Sequence, residues 1–173
     1  KLISVHQHNE QQSAETLITR LNGGENIALV TDAGTPAVSD PGAIVVAAVR
    51  AAGIKIVPIP GASAVIAALS ASGIAGSGFT FIGFLPASSS GRKKALQSLL
   101  GDIHTLVFYE APHRIVESVA DMAAIFGAER NIVIARELTK TFETIHKCNL
   151  GDAVKWLEAV SNHQRGEFVL LIE

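Results

Sequence analysis

Between Lys55 and Arg92 the chain carries no charged side chain. So long an uncharged stretch either crosses a bilayer or lies inside a folded core, and a span needs ~20 consecutive apolar residues. Pro58, Pro60, Gly61, Gly73, Gly76 and Gly78 cut this one into short pieces. An interrupted segment leaves backbone groups unsatisfied in lipid, so the stretch reads as the buried middle of a globular protein. Its Ala, Gly and Ser residues suit elements that pack closely. The 173 residues, 48% hydrophobic and 17% charged, are enough to bury a core, which excludes a disordered tail. Fourteen basic against sixteen acidic side chains, a net charge of −2, exclude a general attraction to nucleic acid or anionic membrane. Cys148, the single cysteine, has no partner for a disulfide and no zinc-type neighbours, so a reducing, cytoplasmic compartment is expected. The chain opens on Lys1-Leu2-Ile3, without Met or the order of a signal peptide, and closes in a strand-like run; it reads as a piece of a longer protein.

Apolar spacing predicts a helix from Asn9 to Leu21, with Asn9 as its cap. A strand is expected over 26–31, then a helix capped by Asp40 with Pro41 at its first position. A strand over 54–59 and a helix over 62–72 follow. Helices alternating with uninterrupted apolar strands imply an α/β fold with a parallel sheet covered on both faces. The turns after Thr31 and Ile59 would then lie at the carboxyl edge, where ligands bind. A strand over 79–85 is followed by Pro86-Ala87-Ser88-Ser89-Ser90-Gly91, of linker composition. Charge density changes there, from 4 basic and 5 acidic residues over 1–86 to 10 and 11 over 87–173. A truncated amino-terminal α/β domain is therefore expected over 1–85 and a carboxy-terminal α/β domain over 86–173. The second half reads as helix 91–100, strand 104–109, helix 112–126, strands 131–136 and 143–147, helix 151–160 and strand 167–172.

Four loops have the residue types of a site. Thr31-Asp32-Ala33-Gly34-Thr35-Pro36 offers small residues and backbone N–H groups to an anion, although a bare tight turn has the same composition. Pro60-Gly61-Ala62-Ser63-Ala64 places a hydroxyl at a helix start, where it either caps the helix or meets a ligand. Tyr109-Glu110-Ala111-Pro112-His113-Arg114 and Arg136-Glu137-Leu138-Thr139-Lys140 each end a strand with mixed polar groups, suited to recognition or to salt-bridged turns. Arg92-Lys93-Lys94 is the compact basic cluster, a candidate for phosphates or a solvated helix start; cations at a helix N-terminus oppose its dipole, so an anion is expected beside them. His6 and His8 lack a carboxylate cluster, and no metal site is expected. No P-loop, dinucleotide fingerprint or nucleophile elbow occurs, which argues against an ATPase, a nicotinamide dehydrogenase or a serine hydrolase.

Taken in order, His8-Asn9-Glu10-Gln11, Thr31 to Pro36 with Asp40-Pro41-Gly42, Pro60 to Ser63, Gly83-Phe84-Leu85-Pro86, Phe108-Tyr109-Glu110 with His113-Arg114, Ala135 to Lys140 and Gly166-Glu167 span the whole chain. This series resembles the tetrapyrrole methylase superfamily and, within it, the ribosomal RNA small subunit methyltransferase I family. The resemblance implies two α/β domains with a cleft for S-adenosylmethionine, 2′-O-methylation of a cytidine in 16S ribosomal RNA, and a homodimer. By position it implies cofactor contacts from Ala33, Gly34 and Thr35, with Asp32 and Pro36 beside them, from Ser63 and Ala64 with Gly61, and from Tyr109, Glu110, Leu138 and Thr139. Glu110 is a candidate base, with Arg136 and Lys140 as electrostatic support. Arg92, Lys93, Lys94, His113 and Arg114 are candidate contacts to the RNA or the 30S particle. The family's opening Pro-Thr-Pro-x-Gly-Asn-Leu loop and Glu-Asp-Thr-Arg stretch do not occur here, so the expected site is incomplete. Competing readings are a relative that methylates a porphyrinoid or a protein, and an inactive fragment that only dimerises.

Overall fold

Thr105–Glu110 (β2), Asn131–Arg136 (β3) and Phe168–Ile172 (β5) are short apolar runs without breakers, the pattern of strands buried on both faces. In the computed structural model, which describes residues 2–76 and 78–173, they form the middle of a five-stranded sheet ordered β1-β2-β5-β3-β4. The outer strands are Phe79–Phe84 (β1) and Thr144–Asn149 (β4). Side chains alternate between two layers along each central strand. Leu106, Phe108, Ile132, Ile134, Leu170 and Ile172 face helices Ser89–Gln97 (α4), Ile115–Phe126 (α5) and Leu150–Ala159 (α6), through Leu96, Val119, Met122 and Leu157. Val107, Val133, Ala135, Val169 and Leu171 face helix Ala64–Ser72 (α3), through Val65 and Ala68.

Only β1 and β2 run parallel; β2–β5, β5–β3 and β3–β4 are antiparallel. The parallel sheet was expected from the alternation in the first half, over 26–31 and 54–59; the sheet that forms is built from 79–172 and is mostly antiparallel. Apolar runs report burial on both faces, not strand direction, and β5 gains its two-sided cover while running against both neighbours.

Residues 1–63 form one compact unit and 64–173 the other. The expected division at 85/86 falls inside the second unit, because β1 hydrogen-bonds to β2 and α3 lies on the same sheet. The Ser-rich stretch there is a loop within one unit, and the charge step marks the change from buried strand to surface helix.

In the first unit, helices Glu10–Asn22 (α1) and Ala43–Ala51 (α2) pair through Ala14, Leu17, Val45 and Val49. The expected strands over 26–31 and 54–59 are not formed. A strand requires a ladder partner, and none runs beside either segment among the described residues; Val30 and Ile59 are 75% and 80% exposed. The cap of α2 is also corrected. Gly42, not Asp40, is the cap residue, and a side chain from another helix takes the capping role. Asn9 precedes α1 as expected, but its amide ties Ser4 and His6 instead of bonding the helix.

Candidate functional site

The first unit's loop runs from Thr31 to Gly42. Asp32, Ala33, Gly34 and Thr35 are exposed, and Gly34 sits at φ +73° with open space where a Cβ would stand. The backbone N–H groups of Ala33 and Gly34 have no partner within the described chain, so they are available to a carboxylate or another acceptor. The Thr35 hydroxyl donates to the Ala62 carbonyl at 3.0 Å, joining this loop to the Gly61–Ser63 turn. Ser63 stands just before α3, its hydroxyl making no hydrogen bond among the described residues, and Ala64 is the first helical residue. The spacing had placed these two turns at one sheet edge; a single hydrogen bond unites them instead.

In the second unit, Glu110 ends β2 at 3% exposure. Its Oε1 accepts from Ala111 N (2.7 Å) and from Arg114 Nε and Nη2 (2.9 and 2.6 Å), and its Oε2 from the Ser118 hydroxyl (2.5 Å). A carboxylate holding four donors is not poised to take a proton from a substrate. In this arrangement the carboxylate anchors the chain at the start of α5. Tyr109 sits edge-on to Phe81 and Phe84, with ring centres 5.0 and 5.7 Å away, and forms part of the apolar α3 layer with Leu138.

The structure brings Arg136 to Lys140 together with Gly166-Glu167, which the sequence had shown only as separate motifs. Glu137 N donates to Glu167 O, and Glu167 N donates to Glu137 Oε1, both at 3.0 Å. Lys140 Nζ lies 2.9 Å from both Glu137 and Glu167 carboxylates. The Lys140 hydrogen bond, then the Glu167 amide, lower the Glu137 pKa, while bonds to Glu137 and Glu167 raise that of Lys140. Lys140 is thus a committed cation and not a base. Arg136 is 4% exposed and donates to Arg165 O, Phe142 O and Thr144 Oγ1, with its Nε buried and unpartnered. It clamps the β3–β4 connection to the turn before β5. Gly166, at φ +94°, passes so close that an added Cβ would collide with the Glu137 side chain. Gly166→Ala is therefore expected to cost about 1–3 kcal/mol, measured by urea unfolding. An unchanged midpoint would show that the Glu137 side chain swings aside freely.

The basic cluster is also redistributed. Arg92, 1% exposed, is buried against Asp121 (Nε–Oδ2 2.7 Å) and is corrected from an RNA contact to a core ion pair. Arg114, only partly buried, pairs with Glu110 at 2.6 Å. Asp121 also accepts from Ser89 and meets Lys93 at 3.3 Å. The anion expected beside the α4 N-terminus thus comes from α5. Lys94 and His113 remain exposed, and Lys93 half so.

One local signal escaped sequence reading. Among the described residues, only Ala37, Ser39, Glu137 and Thr139 combine a side chain with positive φ, at 65, 59, 52 and 65°. All four lie in the Thr31–Gly42 and Arg136–Lys140 loops. Such strain persists where the surroundings over-determine it, commonly at functional sites.

The model of the tetrapyrrole (corrin/porphyrin) methylases matches residues 3–154. The chain belongs to the tetrapyrrole methylase family. Among curated relatives, the ribosomal RNA small subunit methyltransferase I of Pseudomonas aeruginosa is 52% identical over 171 residues, covering 99% of this chain and 61% of that protein. The same-named protein of Vibrio cholerae is 51% identical over 172 residues, covering 99% and 60%. The chain thus spans about three-fifths of the length of these relatives. The crystal structure of the methyltransferase CobJ superposes with a TM-score of 0.69 at 21% identity, over 94% of this chain and 70% of that one. A uroporphyrin-III C-methyltransferase from Thermus thermophilus, solved with S-adenyl homocysteine, gives 0.63 at 17% identity, over 98% and 75%. These likenesses establish the tetrapyrrole methylase fold. No helix among the described residues is long and apolar enough to cross a membrane.

Proposed function

We propose that this tetrapyrrole methylase chain is part of a cytoplasmic, homodimeric S-adenosylmethionine-dependent enzyme that methylates the 2′-oxygen of a cytidine in 16S ribosomal RNA. The observation that carries the reading is the 52% identity, over 99% of the chain, to a protein named for small-subunit ribosomal RNA methylation. Within the first unit, small residues and N–H groups at Ala33 and Gly34 without a partner among the described residues suit a carboxylate such as the cofactor's. Within the second, Tyr109 and Leu138 offer apolar surface and Thr139 a hydroxyl. When bound, S-adenosylmethionine supplies a methyl group already attached to a good leaving group. The remaining work is orientation of the donor and the ribose hydroxyl. Negative charge grows on that oxygen as its proton passes to water, and Arg136 and Lys140 are the candidate electrostatic support for it. Lys93, Lys94 and His113 contact RNA phosphate.

The test is methyl transfer from labelled S-adenosylmethionine to 16S RNA, naked and in the 30S particle. Label at an alkali-resistant ribose linkage supports the reading; label on a porphyrinoid or a protein, with none on RNA, sinks it. For the RNA contacts, the Lys93→Ala/Lys94→Ala double variant is expected to weaken RNA binding and flatten its salt dependence by about two phosphate contacts. The same affinity as the parent across a salt series would remove this cluster from the interface.

A further inference from the structure

Glu10 lies in the first of the matching motifs, yet nothing in the proposed chemistry uses it. It is on the opening turn of α1, 7% exposed, an uncommon position for a carboxylate. Its Oε2 accepts from Gly42 N and from Ile44 N, both at 3.0 Å. These are orphan donors at the start of α2, where the helix dipole favours negative charge. Gly42 sits at φ +130°, with Leu29 Cδ2 2.9 Å from where a Cβ would stand. The segment it closes contains the strained Ala37 and Ser39 and the open amides of Ala33 and Gly34. Within that segment the backbone bond from Val38 N to Thr35 O is long, at 3.3 Å. Strain of this kind relaxes unless both ends of the loop are pinned. Thr35 pins one side through Ala62, and Glu10 pins the other.

We infer that Glu10 is a positioning residue: its carboxylate holds the root of the Thr31–Gly42 loop so that the loop's free amides stay set for the donor. The inference rests on the proposed cofactor reading for its consequence, but not for its geometry. Because Glu10 already fills the α2 N-terminus, the donor's carboxylate is held by the loop amides and not by that helix end.

The experiment compares the parent chain with Glu10→Ala, Glu10→Gln and, as a control on the exposed face of α1, Glu15→Ala. Hydrogen exchange of the peptides covering 32–44 reads loop order directly. Calorimetric titration with S-adenosylhomocysteine reads its consequence, at a temperature where every variant is folded by circular dichroism. Glu10→Ala is expected to speed exchange over 32–44 and weaken binding by about tenfold, the factor for losing one to two net hydrogen bonds. Glu10→Gln, whose carbonyl still accepts both bonds, is expected to restore most of each, and Glu15→Ala to change neither. If Glu10→Ala does not fold, Glu10→Asp, one methylene too short, takes its place. Unchanged exchange over 32–44 in the truncated variant overturns the inference, as does Glu10→Gln failing to recover exchange. Failure to bind S-adenosylhomocysteine by both this chain and a version extended to the relatives' full length sinks the cofactor reading, while the exchange data still decide whether Glu10 orders the loop.

Discussion

Asp121→Ala is expected to destabilise the protein by about 3–5 kcal/mol, because it leaves the Arg92 guanidinium buried without its counter-charge. Arg92 is 1% exposed and its other close partner is a carbonyl, that of Ala87, at 3.2 Å. The Glu117 carboxylate stands 3.7 Å away and is largely exposed, so it compensates little. The double replacement Arg92→Met/Asp121→Ala should recover much of the loss, since removing both charges also removes their desolvation cost. The pair also sets an acid limit. Burial pushes the Asp121 pKa up, but hydrogen bonds from Arg92, Ser89 and Lys93 together outweigh it, and the net shift is downward. A folded-state value below the unfolded one (about 3.9) means that this stabilisation is whole above that pH and is lost as pH falls through the folded value. Urea unfolding at pH 7 and at pH 3 checks both points. Equal stability of Asp121→Ala and parent at pH 7 would show that the ion pair holds nothing.

Glu110→Ala should rank with it. The substitution strips one acceptor from Ala111 N, Arg114 and Ser118 at once, and Ser118 is fully buried. Removing one partner of a buried charged network costs about 3–5 kcal/mol. Glu110→Gln, which keeps one acceptor oxygen but turns an amide against Arg114 or Ser118, should fall between alanine and parent. The two functions suggested for Glu110 separate here. An anchor loses stability and, once folded, retains transfer; a base retains stability and loses transfer. Denaturation midpoints paired with methyl transfer under folded conditions tell them apart.

The central strands were legible because a run such as Phe168-Val169-Leu170-Leu171-Ile172 is buried on both faces whatever its neighbours, and composition alone reports that. Helix α5 was legible over most of its length from its apolar stripe, although Pro112 proved to lie in the turn before it. The two strands expected in the first unit were not, because Ile27, Val30, Val57 and Ile59 have strand composition but no ladder partner among the described residues. Of the candidate site, the small-residue loop at Asp32–Thr35 is open as its composition implied. The partners of Arg92, Arg114 and Glu110 were not legible, because Asp121 and Ser118 lie outside the motifs and the Arg114–Glu110 pair depends on the turn between β2 and α5.

By itself the sequence determined which segments are apolar, where helices run and in which order the family's motifs follow one another. Those properties depend on neighbours a few residues apart. The tertiary structure alone decided which charges are spent. Glu10 meets Gly42, Arg92 meets Asp121, Arg136 meets Arg165 and Glu137 meets Glu167. Each pairing joins residues about thirty positions apart, and an ionised group acquires its role only from the partner that folding brings within hydrogen-bond reach.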